Sequence, residues 1–515
     1  LASCLRALAS AGASPQPFGP AMARGRAGVA LRRAWSLRPS SAPLGAPRAF
    51  AASSHGSACQ RRPFASGGGA QPYDVAIVGG GVIGSSIALH LAALSEQRLR
   101  VAVLETDPTY KWASAPRSAG GIRQQFSMPV NIELSMYGIE FIRSGLQEMC
   151  AGVDVDTDVQ FRENGYLILA PEGGTGEASL RENVATQHAH GATWITLLTP
   201  PELEARFPWL STDGLSLGAF GERNEGYFDP WALLQAMRKG SAARGVEHIA
   251  QDLVQQQWRS TASSAPRPAA LHGQQRSAPL GREEVVGVER EAGGAIGSLR
   301  LADGSALRAK TVVNAAGAFC GRFVDMCGPG VTPLPVSPRK RCMWLFKVGA
   351  RTASAGVTPC PPDTTPLTID PSGCYFRSEG TGGRFVCGVS PKPEEDPDCE
   401  LKDLEAVDDK LFEETIWPTL ADRVPALESL RVESSWAGMY EYNTVDQNGV
   451  VGWHPEVPNM LMACGFSGHG LQQAPGVGRA CAELLVHGKY RTTDLSILSF
   501  DRIVQGRPVF ERGIY

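Results

Sequence analysis

The first 72 residues contain no aspartate, no glutamate and no lysine, against nine arginines, and are rich in alanine, serine, glycine and proline. A positively charged, acid-free start of this kind reads as a mitochondrial transit peptide, with residues 21–37 as its amphipathic part. A basic tail, or translation starting at Met22, is the alternative; in each case 1–72 stands outside the fold, with Gly67-Gly68-Gly69 as a joint. No run of about 18 apolar residues occurs, the length a membrane-crossing helix needs, so membrane contact would be peripheral. The twelve cysteines include no CxxC pair, which argues against a zinc site or a disulfide framework and fits a reducing compartment. Cys320 and Cys327 read as small buried apolar residues. A net charge of −3 gives no field for nucleic acid or anionic lipid.

What is present begins with Val75-Ala76-Ile77-Val78-Gly79-Gly80-Gly81-Val82-Ile83-Gly84, followed by Val101-Ala102-Val103-Leu104-Glu105. Residues 74–78 predict a buried strand and 85–94 a helix. Gly79 permits the sharp turn, Gly81 the approach of backbone to a pyrophosphate, and Gly84 close packing of helix on strand. The helix start offers N–H groups and a positive dipole end to phosphate, and Glu105 ends the second strand where a ribose hydroxyl needs an acceptor. A carboxylate there repels a 2′-phosphate, so FAD or NAD is expected rather than NADP.

Further along, residues 129–149 predict a helix with Ile132, Met136, Ile139 and Ile142 on one face, and 164–169 a strand. Residues 180–190 predict a helix; His188 and His190 read as its solvated end rather than a metal pair. Asp229-Pro230-Trp231 opens another helix, with Asp229 as N-cap. Residues 258–282 are an insertion loop by composition. Strands are expected at 285–288, 296–301 and 311–314, the last ending in Ala315-Ala316-Gly317. Others, at 343–348, 373–377, 384–389 and 432–442, suggest a largely antiparallel second sheet. A strand at 460–463 leads into Gly465-Phe466-Ser467-Gly468-His469-Gly470 and a helix from about 473 to 486. Arg339-Lys340-Arg341 reads as a solvated strand edge rather than a contact for an acidic partner.

The first glycine turn, Val312-Val313-Asn314-Ala315-Ala316-Gly317 and the late Gly465–Gly470 string together resemble the D-amino-acid oxidase superfamily, over residues 73 to about 490. The resemblance implies an α/β fold in which a Rossmann-like FAD-binding domain of glutathione-reductase type is interleaved with an antiparallel-sheet substrate domain. The pieces are expected at 73–150, 223–333 and 438–490 for FAD, and 151–222 and 334–437 for substrate, with a tail at 491–515. The cofactor implied is FAD, bound by Gly79, Gly81, Gly84, Glu105, Ala316, Gly317, Gly468, His469 and Gly470.

The strings Ser118–Phe126, Asn443–Gly452 and Gly470–Gly476 are similar to a mitochondrial branch of the superfamily. That likeness implies a flavoprotein of the matrix, or of the matrix face of the inner membrane, needed for assembly of respiratory NADH dehydrogenase, complex I. Its partners would be assembly intermediates or subunits. Alignment with relatives that link FAD covalently puts Arg117 and Gly438 at the linkage positions, so noncovalent FAD is expected. Val386 stands where sarcosine oxidases carry a lysine tied to oxygen activation. Arg123 matches their carboxylate-binding arginine, while Gln472 replaces the companion lysine. Arg123 and His469 are thus the candidate catalytic residues, for an FAD-dependent dehydrogenase of N-methylated amines or amino acids if a substrate is turned over.

Overall fold

The computed structural model describes residues 71–249, 285–349 and 358–512. The chain divides into Leu1–Phe64 and Ala65–Tyr515, and everything described belongs to the second unit. The expected transit segment, up to residue 70, and the expected insertion loop at 258–282 lie outside the described residues.

The strand Tyr73–Val78 pairs in parallel with Val101–Leu104 on one side and Ala309–Asn314 on the other. Met460–Cys464 continues the parallel set. Glu247–Ile249 and Val450–Trp453 form the two edges, the latter antiparallel. These strands are nearly continuous apolar runs because both faces of the sheet are covered. Val75, Ile77, Val101, Val103 and Val313 point into a core shared with the helices Val82–Leu94, Pro230–Ala243 and Gly470–His487. Ala76, Val78, Leu104 and Val312 point the other way, toward the three-stranded sheet Val285–Arg290, Ile296–Leu301 and Ala306–Leu307. The first helix begins at Val82, not 85: the left-handed Gly79 (φ +100°) completes the turn early. The last long helix likewise starts at Gly470 rather than 473. Asp229 caps its helix as expected, accepting hydrogen bonds from the Trp231 and Ala232 amides.

The second sheet runs in the order Arg431–Asn443, Val336–Lys347, Arg384–Val389, Cys374–Ser378, Leu367–Ile369, Tyr166–Pro171, Leu215–Gly221, Ile195–Leu198. All neighbours are antiparallel except Leu367–Ile369 with Tyr166–Pro171. Cys342, Trp344 and Phe346 alternate into one core with Phe376, Phe385 and Cys387. One expectation is overturned here. Val336–Lys347 starts seven residues before its predicted start and lies inside the sheet, so Arg339 and Arg341 are not a solvated edge. Arg341 makes a two-pronged ion pair with Asp396 (2.7 and 2.9 Å), Arg339 pairs with Asp398, and both arginine side chains are largely buried.

The last residues return to the beginning of the domain. Arg502 pairs with Asp446, and beyond it Glu511 accepts hydrogen bonds from the Ser127 and Met128 amides and the Asn131 side chain. The helix Pro129–Glu140 has no acid in its own first turn. Glu511 supplies one, where a carboxylate complements the helix dipole.

Candidate cofactor and substrate site

At the nucleotide end the three glycines have distinct roles. A Cβ on Gly79 would stand 2.2 Å from the Ala315 carbonyl oxygen, and one on Gly84 only 1.9 Å from the Gly79 oxygen. The first glycine therefore lets two strand tips meet, and the third lets the helix start sit on the turn. A Cβ on Gly81 would meet nothing within 4 Å, and the same holds at Gly317 on the neighbouring strand's tip. These open faces stand beside the helix N-terminus, whose first N–H groups have no acceptor within a helix. That fits a pyrophosphate cradle. The Ser85 hydroxyl donates to the Gly80 carbonyl (2.8 Å), fixing the turn. Glu105 accepts from the Gly80 amide through one oxygen (2.8 Å) and from the Asp107 amide through the other (2.9 Å). Burial pushes its carboxyl up, and these amides oppose the shift.

At the other end, His469 stands at the N-cap of Gly470–His487, and Arg123, only 2% exposed, comes from the segment after the short strand Gly121–Ile122. The structure brings the two together. The Arg123 guanidinium lies 3.3 Å from His469 Nε2 and 3.4 Å from the Tyr166 hydroxyl, and 5.2 Å from the centres of the Phe126 and Tyr166 rings. With Arg123 donating to Nε2, the imidazole carries its proton on Nδ1. Burial first, and the Arg123 charge second, push His469 well below the ordinary histidine value. The Arg123 amide donates to Gln472 Oε1 (2.8 Å), so Gln472 positions the Arg123 backbone. Gly468 packs against Tyr440, whose hydroxyl donates to the Ser467 carbonyl.

Arg117 and Gly438 also meet: a Cβ on Gly438 would stand 3.0 Å from Arg117 Cβ, and the guanidinium donates to the Ala437 carbonyl (2.6 Å). Val386 is buried and registers opposite Leu345 and Arg377. Cys320, fully buried, has Cys464 rather than Cys327 as its thiol neighbour.

A model of the FAD dependent oxidoreductase family, DAO, matches residues 74–484. The chain belongs to this family. FAD is its cofactor. It is 41% identical over 475 residues to FAD-dependent oxidoreductase domain-containing protein 1 of Xenopus laevis, covering 88% of this chain and 87% of the relative. The protein of the same name from Bos taurus is 42% identical over 454 residues, covering 86% and 87%. Among solved structures, L-proline dehydrogenase from P. horikoshii superposes with a TM-score of 0.65 at 22% identity, over 85% of this chain and all of the other. Glycine oxidase from Geobacillus kaustophilus gives 0.62 at 22%, over 84% and 98%. These likenesses support the fold.

Two acids in the site carry no sequence signal. Glu225 is fully buried; its oxygens accept from the Gln124 amide (2.8 Å) and the Gln125 side chain (2.7 Å), bracing the segment that carries Arg123. Burial pushes it from 4.5 up to about 7, against the opposing pull of Gln125, Gln124 and Arg123. Glu441 accepts from the Gly465 amide (3.1 Å) and burial raises it to about 7 as well. An acid whose native value lies above its unfolded value stabilises the fold below about pH 4.5, and that contribution is lost as pH rises through about 7. Urea unfolding of the wild type should therefore weaken between pH 5 and pH 8, with Glu225 contributing on the order of 2–3 kcal/mol. Glu225→Gln should remove that share of the slope; an unchanged slope would place the titration elsewhere.

Proposed function

We propose that this flavoprotein acts in mitochondria, at the matrix face of the inner membrane, where it serves assembly of complex I through contacts with assembly intermediates or subunits. The acid-free, arginine-rich leader supports the address, and the strings at 118–126, 443–452 and 470–476 support the branch of the family. The observation that carries the reading is the fate of the second cation. Gln472 stands at its place and is spent on the Arg123 amide, while the Arg123 guanidinium lies beside His469 and Tyr166. One guanidinium can clamp a carboxylate, yet an anion held by one cation is held less well than by two. Noncovalent FAD then contributes chiefly as a ligand of the native fold, adding stability by mass action.

The second reading is an FAD-dependent dehydrogenase of N-methylated amines or amino acids, favoured by the buried Arg123. FAD when bound supplies the hydride acceptor; Arg123 would orient the donor and the aromatic walls would exclude water. Cells lacking the protein separate the two. Wild type and Arg123→Met should restore complex I equally, and anaerobic addition of sarcosine, dimethylglycine or amino acids should leave the flavin absorbance intact. Rapid bleaching that Arg123→Met abolishes, together with failure of that variant to restore complex I, would move the dehydrogenase reading to first place.

A further inference from the structure

We propose that Tyr110 is a binding residue for the adenosine half of FAD, its hydroxyl donating to the ribose diol beside the Glu105 acceptor. The inference rests on the chain's being an FAD protein. Tyr110 is 4% exposed and lies five residues beyond Glu105, in the loop that follows the second strand. Its backbone occupies the left-handed region (φ +55°), where a bulky side chain is an outlier. The turn that holds it there is built by Asp107: the Tyr110 amide donates to the Asp107 carbonyl (2.9 Å), and the Asp107 carboxylate accepts from Thr109 and Lys111. This conformation turns the ring in toward the dinucleotide turn. The Tyr110 hydroxyl and Glu105 Oε2 then stand 3.1 and 3.2 Å from one point, the position a Cβ on Gly80 would fill.

The two groups differ in how they are used. Glu105 already accepts from the Gly80 and Asp107 amides, each through one oxygen. The Tyr110 hydroxyl makes no hydrogen bond among the described residues, although the ring is in the core and stacks edge-on against Trp231, 6.1 Å between centres. The hydroxyl is not one of the sealed, unpartnered polar atoms of the interior, so solvent reaches it, and a phenol aimed here by a strained turn is placed to donate to a ligand that arrives there. Burial, reinforced by the Glu105 charge, keeps the phenol protonated and hence a donor. A ribose diol offers both acceptor and donor oxygens, so a carboxylate and a phenol side by side read it with opposite polarities. Trp231, 42% exposed at the first turn of Pro230–Ala243, flanks the ring and holds it from the outside.

The test uses the full-length holoprotein. FAD release on dilution, followed by flavin fluorescence, should give a dissociation constant roughly three- to tenfold higher for Tyr110→Phe than for wild type, the range of one neutral hydrogen bond. The melting temperature of the FAD-saturated variant checks that the fold is intact. In competition, ADP should displace FAD from the wild type better than 2′-deoxy-ADP or 3′-deoxy-ADP does. For one of the deoxy analogues the difference between wild type and Tyr110→Phe should vanish. Equal FAD dissociation constants would overturn the proposal, as would a Tyr110→Phe penalty that persists undiminished with both deoxy analogues. Wild-type protein that binds neither FAD nor ADP would instead refute the nucleotide site itself.

Discussion

Gly84→Ala should yield little folded, flavin-bearing protein. The added methyl would sit 1.9 Å from the Gly79 carbonyl oxygen and 3.1 Å from its carbon, both backbone atoms of the turn that the Ala315 strand tip presses from the other side. Overpacking against side chains typically costs about 1–3 kcal/mol because rotamers can shift. Backbone flanked on both sides has no such escape, so the cost should lie at or above the top of that range. Gly81→Glu is the informative contrast, since a Cβ there meets nothing within 4 Å. It should keep the fold and lose FAD, because a bulky anion would stand where a pyrophosphate must approach. Flavin-to-protein ratios with thermal melts, with and without added FAD, check both. Gly84→Ala with wild-type flavin content and melting temperature would contradict the assigned packing, and so would Gly81→Glu whose melting temperature still rises with FAD.

Asp446 is 1% exposed and accepts from two nitrogens of Arg502 (2.7 and 2.9 Å), from the Asn443 side chain and from the Asn448 and Val509 amides. Asp446→Ala leaves the buried Arg502 cation without its counter-charge, and breaking such a pair costs about 3–5 kcal/mol. Replacing both partners with apolar residues removes the stranded charge, so Asp446→Leu/Arg502→Met should be less destabilised than either single variant. Denaturant midpoints in a double-mutant cycle measure this. Additive losses would show that the two side chains do not act as a pair.

The parallel layer was legible because its signals are local. An apolar strand, a glycine turn, a helix and an acid at the second strand end lie within 33 residues, and the structure places all of them where the pattern requires. The antiparallel sheet was legible only in part. Arg384–Val389 matches its expected bounds, whereas Leu215–Gly221 and Leu367–Ile369 were not read as strands, since short segments buried on both faces lack alternation. The Arg339–Arg341 reading failed for a different reason. Three adjacent cations look solvated in one dimension, and their partners Asp396 and Asp398 lie some 55 residues away on a loop no pattern ties to that strand. Glu225 was hidden in the same way, since a lone acid between turn residues gives no hint of burial beneath Gln124 and Gln125.

The Glu511 clamp on the helix start at Ser127–Asn131 has a consequence for the order of events in folding. The contact spans 380 to 384 residues, and the parallel sheet itself needs Met460–Cys464 beside Ala309–Asn314. Closing loops of that size forfeits chain entropy before any contact repays it, so such pairings form late. A growing chain would therefore carry the whole first glycine motif for most of its synthesis without a finished seat for the flavin. Until its last turns arrive, the strand Ala309–Asn314 has one edge unpaired, a template for pairing with another chain.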